Sequence, residues 1–243
     1  MNILIAGQKW FGAETFRALR ALPGVTVAAV SAPRRAPDRL ADQADLYRIP
    51  VIPSGSLRAE TMPDGIDLIV AAHSRDFIGE KTRHRARYGG IGYHPSLLPL
   101  HRGRDAVRWA VKMRDLVTGG TVYRLSNRMD GGDILAQEHV FIRPGDTAEE
   151  LWRRDLAPLG VRLLAETVAR FALEGYVVGK PQDEAVATWE PAMDAPPAYR
   201  PDLPLLPGPG VTGGDEILED IIASVGRGLY RRGLYGANAA SCA

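Results

Sequence analysis

The sequence predicts an α/β fold, an open and largely parallel sheet wound with helices. Three observations predict it. Short apolar runs at Ile3–Ala6, Val25–Val30, Val51–Ile52 and Asp67–Ala72 alternate with helical periodicities. The first run ends in a glycine, Gly7, that opens onto a helix. The order strand, helix, strand, helix, strand demands crossover connections, which place parallel strands between helices.

Each element has its own signal. Ile3-Leu4-Ile5-Ala6 is a buried strand feeding a turn. From Gly12, Phe16, Leu19 and Leu22 recur at helical spacing, and Pro23-Gly24 stops that helix. Pro33–Asp38 is a polar loop, and Arg39–Tyr47 a second helix. Ile91-Gly92-Tyr93-His94 is a further strand. Asp105–Met113 is a helix with a carboxylate suited to the dipole at its start. Thr121–Leu125 and Glu138–Ile142 read as an antiparallel extension flanking a glycine loop. Thr147–Leu173 is the longest helix, opened by the capping box Thr147-x-x-Glu150 and kinked or split at Pro158 and Gly160.

Residues 1–190 form the expected catalytic body, and 191–243 an appendage. The appendage starts with a proline-rich linker, Pro191–Pro209. A short amphipathic helix over Asp215–Val225 follows, suited to docking on its own body or across a homodimer interface, and then a partly disordered tail.

Composition narrows the function. A net charge of +1 over 243 residues gives no global field for nucleic acid or anionic membrane. No apolar run reaches the length of a membrane span. A single cysteine, Cys242, excludes an internal disulfide framework and suits a reducing, cytoplasmic compartment. No basic stretch precedes the first apolar run, so no signal peptide is expected.

Gly7-Gln8-Lys9-Trp10-Phe11-Gly12 stands where a wound sheet binds ligands, but Lys9 occupies the middle glycine of the dinucleotide fingerprint. NAD is therefore not expected. Lys9 and Trp10 are instead candidates to line the ligand crevice. His94 is followed by Pro95, Pro99 and Gly103, and a rigid loop at a strand end is a good platform for a working side chain. Asp130-Gly131-Gly132-Asp133 places two carboxylates around two glycines, without the ligand spacing of a calcium loop. No metal is expected.

His94-Pro95-Ser96-Leu97-Leu98-Pro99, Arg102-Gly103, Gly120-Thr121 and Asp130-Gly131-Gly132-Asp133-Ile134-Leu135, with 36 residues from His94 to Asp130, resemble the folate-dependent formyltransferases. Gly7-Gln8-x-x-Phe11-Gly12, Tyr93-His94-Pro95 and Ala187-Thr188-x-Glu190 also resemble the hydrolase domain of 10-formyltetrahydrofolate dehydrogenase. The resemblance covers residues 1–190. It implies a Rossmann-like, mostly parallel twisted sheet and a 10-formyltetrahydrofolate donor. The implied reaction passes the formyl group to an amine on a small molecule such as an amino sugar. The alternatives are hydrolysis of the donor and folate binding without catalysis.

The resemblance assigns His94 and Asp130 to catalysis. His94 would serve the oxyanion and relay a proton, and Asp130 would orient it and favour its charged form. Arg75, Asp76, Phe77 and Ile78 would line the pterin pocket, with Gly131, Gly132 and Asp133 opposite. Ser96, Arg102 and Arg104 would join Lys9 and Trp10 around the acceptor; Arg34 and Arg35 lie on the same predicted sheet edge. One departure stands out. The family usually has Asn two residues before the His, its amide donating to the formyl oxygen, and this sequence has Gly92. The dehydrogenase's hydrolase domain also lacks that Asn. Asn127 is the candidate substitute.

Overall fold

The computed structural model describes residues 1–193. The helix over Asp215–Val225, the dimer interface assigned to it, the expected tail disorder and nearly all of the proline-rich linker lie outside the described residues. Five strands run β1 Asn2–Gly7, β2 Thr26–Ala32, β3 Val51–Pro53, β4 Leu68–Ala72 and β5 Gly90–His94. Two more, β6 Val117–Arg124 and β7 Ile134–Phe141, complete a seven-stranded sheet in the order β3-β2-β1-β4-β5-β6-β7. All pairings from β3 to β5 are parallel, whereas β5–β6 and β6–β7 are antiparallel.

The helices are α1 Lys9–Arg20, α2 Arg39–Leu46, α3 Glu80–Arg83, α4 Ala106–Lys112, α5 Ala148–Leu151 and α6 Ala157–Glu174. Helix α1 begins at Lys9, three residues before Gly12. Lys9 itself holds a left-handed φ of 58°, and its N–H donates to Asp38 Oδ2. Helix α4 begins after Asp105, whose carboxylate faces Arg104 and Arg108 and accepts the Met193 N–H. The capping box at Thr147 and Glu150 is formed. The long helix is split before Pro158 by a π-helical turn over Trp152–Leu156. Pro158 has no N–H to return to the preceding turn, and Tyr93 Oη donates to the Leu156 carbonyl there. Gly160 is no kink. It sits in regular helix, and it is glycine because a Cβ there would lie 2.5 Å from the Tyr93 ring.

The sheet has two apolar faces. Ile3, Ile5, Phe16, Leu19, Val70, Leu163 and Phe171 pack between sheet and helices on one. Leu4, Ala6, Ile69, Met62 and Ile78 form the core of the other. Alternation along the buried strands sends successive side chains to these two faces. The chain turns back between β1 and β4, which opens a crevice outside the carboxyl ends of those strands. Lys9, His73 and His94 all follow or end strands at that edge. Among the described residues no helix is long and apolar enough to cross a membrane.

Candidate active site

His94 closes β5 and is 6% exposed. Its Nε2 is 2.7 Å from the His101 carbonyl oxygen, which can only accept, so Nε2 carries a proton. That leaves Nδ1 to face Asp130, 3.6 Å from Oδ2. Register would carry the β6–β7 connection away from His94, since Arg124 lies opposite Ile91. The connection instead brings Asp130 back to His94. Asp130 takes a left-handed φ of 48° and receives the Gly103 N–H on Oδ2 at 2.9 Å and the Tyr123 hydroxyl on Oδ1 at 2.6 Å. Aspartate tolerates this conformation better than most residues.

The loop's shape is fixed from outside. Gln182 Nε2 donates to the carbonyls of Asp130 and Gly132, both at 2.7 Å. Gly132 is obligatory, since a Cβ there would lie 1.8 Å from the Arg124 carbonyl oxygen. Gly131 is buried and packs against Arg128, while the Asp133 carbonyl accepts the Arg124 N–H and closes the hairpin.

The 95–104 loop is pinned just as firmly. Ser96 was expected at the acceptor, but it is fully buried and donates to the Leu100 carbonyl. Arg102 was expected there too. It is 8% exposed, with its guanidinium held by Gln182 Oε1 and by both carboxylate oxygens of Glu184. A cation so neutralised and turned inward is a clasp rather than an anion receptor. Arg104 is exposed and faces Asp105, and Arg34 is paired bidentately with Asp45. Lys9 and Trp10 stand exposed at the crevice after β1.

The 75–78 segment divides. Asp76 accepts from Ser31 Oγ and Gly55 N–H, and Ile78 packs into the second core. Arg75 and Phe77, the latter 87% exposed, face outward. His73 beside them is left-handed, with its pKa lowered by partial burial and by the charges of Lys9 and Arg75. Asn127 is no substitute for an amide at position 92. Its own amide is bound to Glu80 and its carbonyl to Arg83.

Three contributors escaped the sequence reading: Tyr123, Gln182 and the His101 triad. His101 Nε2 contacts Asp115 at 2.7 Å and Nδ1 contacts Glu190 at 3.1 Å. Burial pushes this imidazole down, but the hydrogen bonds and charges of both carboxylates outweigh it and hold the pKa at about 9. Alternation could have flagged Tyr123, which lies on the strand next to His94. Gln182 carries no local signal, and the Ala187-Thr188-x-Glu190 run does not disclose that Glu190 meets His101.

A family model described as formyl transferase matches residues 54–168. Cytosolic 10-formyltetrahydrofolate dehydrogenase of Mus musculus is 32% identical over 202 residues, covering 78% of this chain. The chain spans only 22% of that relative's length. Methionyl-tRNA formyltransferase of Acidobacterium capsulatum is 42% identical over 131 residues, 54% of this chain and 40% of that protein. Among solved structures, an N-formyltransferase from Helicobacter canadensis in complex with folinic acid and dTDP-3-aminofucose superposes with a TM-score of 0.63. It is 17% identical and covers 77% of this chain and 70% of that one, a likeness of fold.

Proposed function

The chain belongs to the formyl transferase family, and from that premise we propose that it moves the formyl group of 10-formyltetrahydrofolate to an amine on a small-molecule acceptor. The observation that carries this reading is the pair of buried His94 and partly buried Asp130, 3.6 Å apart at the carboxyl end of β5. The amine attacks the formyl carbon, a C–N bond forms, and negative charge develops on the formyl oxygen. Donors aimed at that oxygen lower the barrier. His94 Nδ1 is the nitrogen left to work, because Nε2 is bound to the His101 carbonyl. It takes the ammonium proton and returns it to N10 of the folate as the N10–carbon bond breaks. Asp130 orients the imidazole, its Oδ2 turned to Nδ1.

Lys9, Trp10 and Arg75 support an acceptor site at the β1–β4 crevice. Their cations and indole offer an anionic or sugar-bearing amine both charge and a stacking face. Phe77 offers the folate an apolar surface.

Hydrolysis is the second reading. It is favoured by the likeness to 10-formyltetrahydrofolate dehydrogenase and by Gly92, which supplies no amide beside His94. Tetrahydrofolate release from 10-formyltetrahydrofolate, followed with and without amino sugars, separates the two. Release that requires the amine is transfer, and release in water alone is hydrolysis. Saturable 5-formyltetrahydrofolate binding without turnover leaves a binding protein. No binding at millimolar ligand sinks the folate reading.

A further inference from the structure

Gly92 and Tyr123 are cross-strand partners in β5 and β6. A Cβ at position 92 would lie 3.3 Å from Tyr123 Cε1 and 3.1 Å from Leu125 Cδ2, so the Tyr123 ring occupies the space that Gly92 leaves. The ring stands edge-on to the His94 imidazole, centroids 6.5 Å apart at 89°. Its hydroxyl donates to Asp130 Oδ1 at 2.6 Å, while the Gly103 N–H holds Oδ2, the oxygen turned to His94. Burial, then the charge and hydrogen bond of Asp130, keep the phenol well above its ordinary range, so it remains a donor. A carboxylate on a connecting loop has no helix or strand to fix its rotation. Two donors on opposite oxygens fix it, one from the backbone and one from Tyr123.

We propose that Tyr123 is a positioning residue of the formyl-transfer site: seated against Gly92, it clamps Asp130 so that Oδ2 faces His94 Nδ1. This rests on the formyl-transfer reading above. Gly92 and Tyr123 then form one unit, since a side chain as large as Asn at position 92 presses on the ring that orients the carboxylate.

Tyr123→Phe in the full chain keeps the ring and removes only the O–H. Tetrahydrofolate release should fall about 10- to 100-fold in kcat, the scale of losses when a working group is misplaced, with the KM for 10-formyltetrahydrofolate within about twofold. Crystal structures of both proteins should show the Asp130 carboxylate rotated away from His94 Nδ1 in the variant. Gly92→Asn should lower kcat similarly, and the double variant should lose little more than either single one. Unchanged kcat in Tyr123→Phe overturns the proposal, because a phenyl ring would satisfy a packing role. So does a loss of activity with Asp130 unmoved. If the unaltered protein releases no tetrahydrofolate, the formyl-transfer reading fails, and the position of Asp130 in the two crystal structures alone decides the clamp.

Discussion

At the scale of single residues, His94 is defined by what its two nitrogens face. A carbonyl takes Nε2 and a carboxylate stands 3.6 Å from Nδ1. Groups that work as a unit give non-additive losses. His94→Ala and Asp130→Ala should each cut tetrahydrofolate release about 100-fold or more, the contribution typical of a positioned acid–base group. The double variant should fall little further, and losses that multiply would show the two act independently. Far-UV circular dichroism of each variant checks that the fold persists. His94, Asp130 and their spacing were legible in the sequence because the loop residues around them carry strong local signals. Tyr123 was not, because a tyrosine in a strand reads as core. Ser96 and Arg102 look available in the sequence because a polar or cationic loop residue does not show its partners, which here are the Leu100 carbonyl and Gln182 with Glu184.

At the scale of elements, the candidate site is a set of loops tied together by the segment that ends in Ala187-Thr188-x-Glu190. Residues 180–190 reach back to both working loops. Thr188 N–H donates to the Pro99 carbonyl and Arg102 N–H to the Thr188 carbonyl, while Gln182 bridges Arg102 to the Asp130 loop. Pairings between segments roughly 50–90 residues apart leave no periodicity to read, which is why the strands were legible and these contacts, beyond the Ala187-Thr188-x-Glu190 run itself, were not. Gln182→Ala removes both donors from the Asp130 and Gly132 carbonyls. It should lower kcat about tenfold, a fraction of the loss expected for misplaced groups. It should also speed amide exchange across 128–133 and leave the β1–β4 strands unchanged, as read by hydrogen exchange. At the other end, Thr147→Ala breaks the capping box and should cost about 1 kcal/mol in urea unfolding without touching activity.

At the scale of the whole molecule, one buried cation makes stability depend on pH. His101 is raised in the folded state to about 9 from an ordinary value of about 6.5. Its charge therefore contributes stability that is complete below about pH 6.5 and is lost as pH rises through about 9. Urea midpoints of the native chain should decline over that window relative to His101→Gln, whose midpoints lack this slope. Equal slopes in the two proteins would mean the imidazole is not charged in the fold. The coupling reaches the candidate site, because the His101 carbonyl is the acceptor for His94 Nε2. Loss of the charge loosens the loop that supplies that carbonyl, so 5-formyltetrahydrofolate should stabilise the native chain most at low pH. A ligand that binds only the folded state at 100 times its Kd adds about 2.7 kcal/mol, and a chain of this size gains roughly 2–4 °C in Tm per kcal/mol. The expected shift is therefore about 5–10 °C at pH 6.5, shrinking by pH 9.5. A shift that is constant across that range would show that the His101 triad stabilises the body without communicating with the folate pocket.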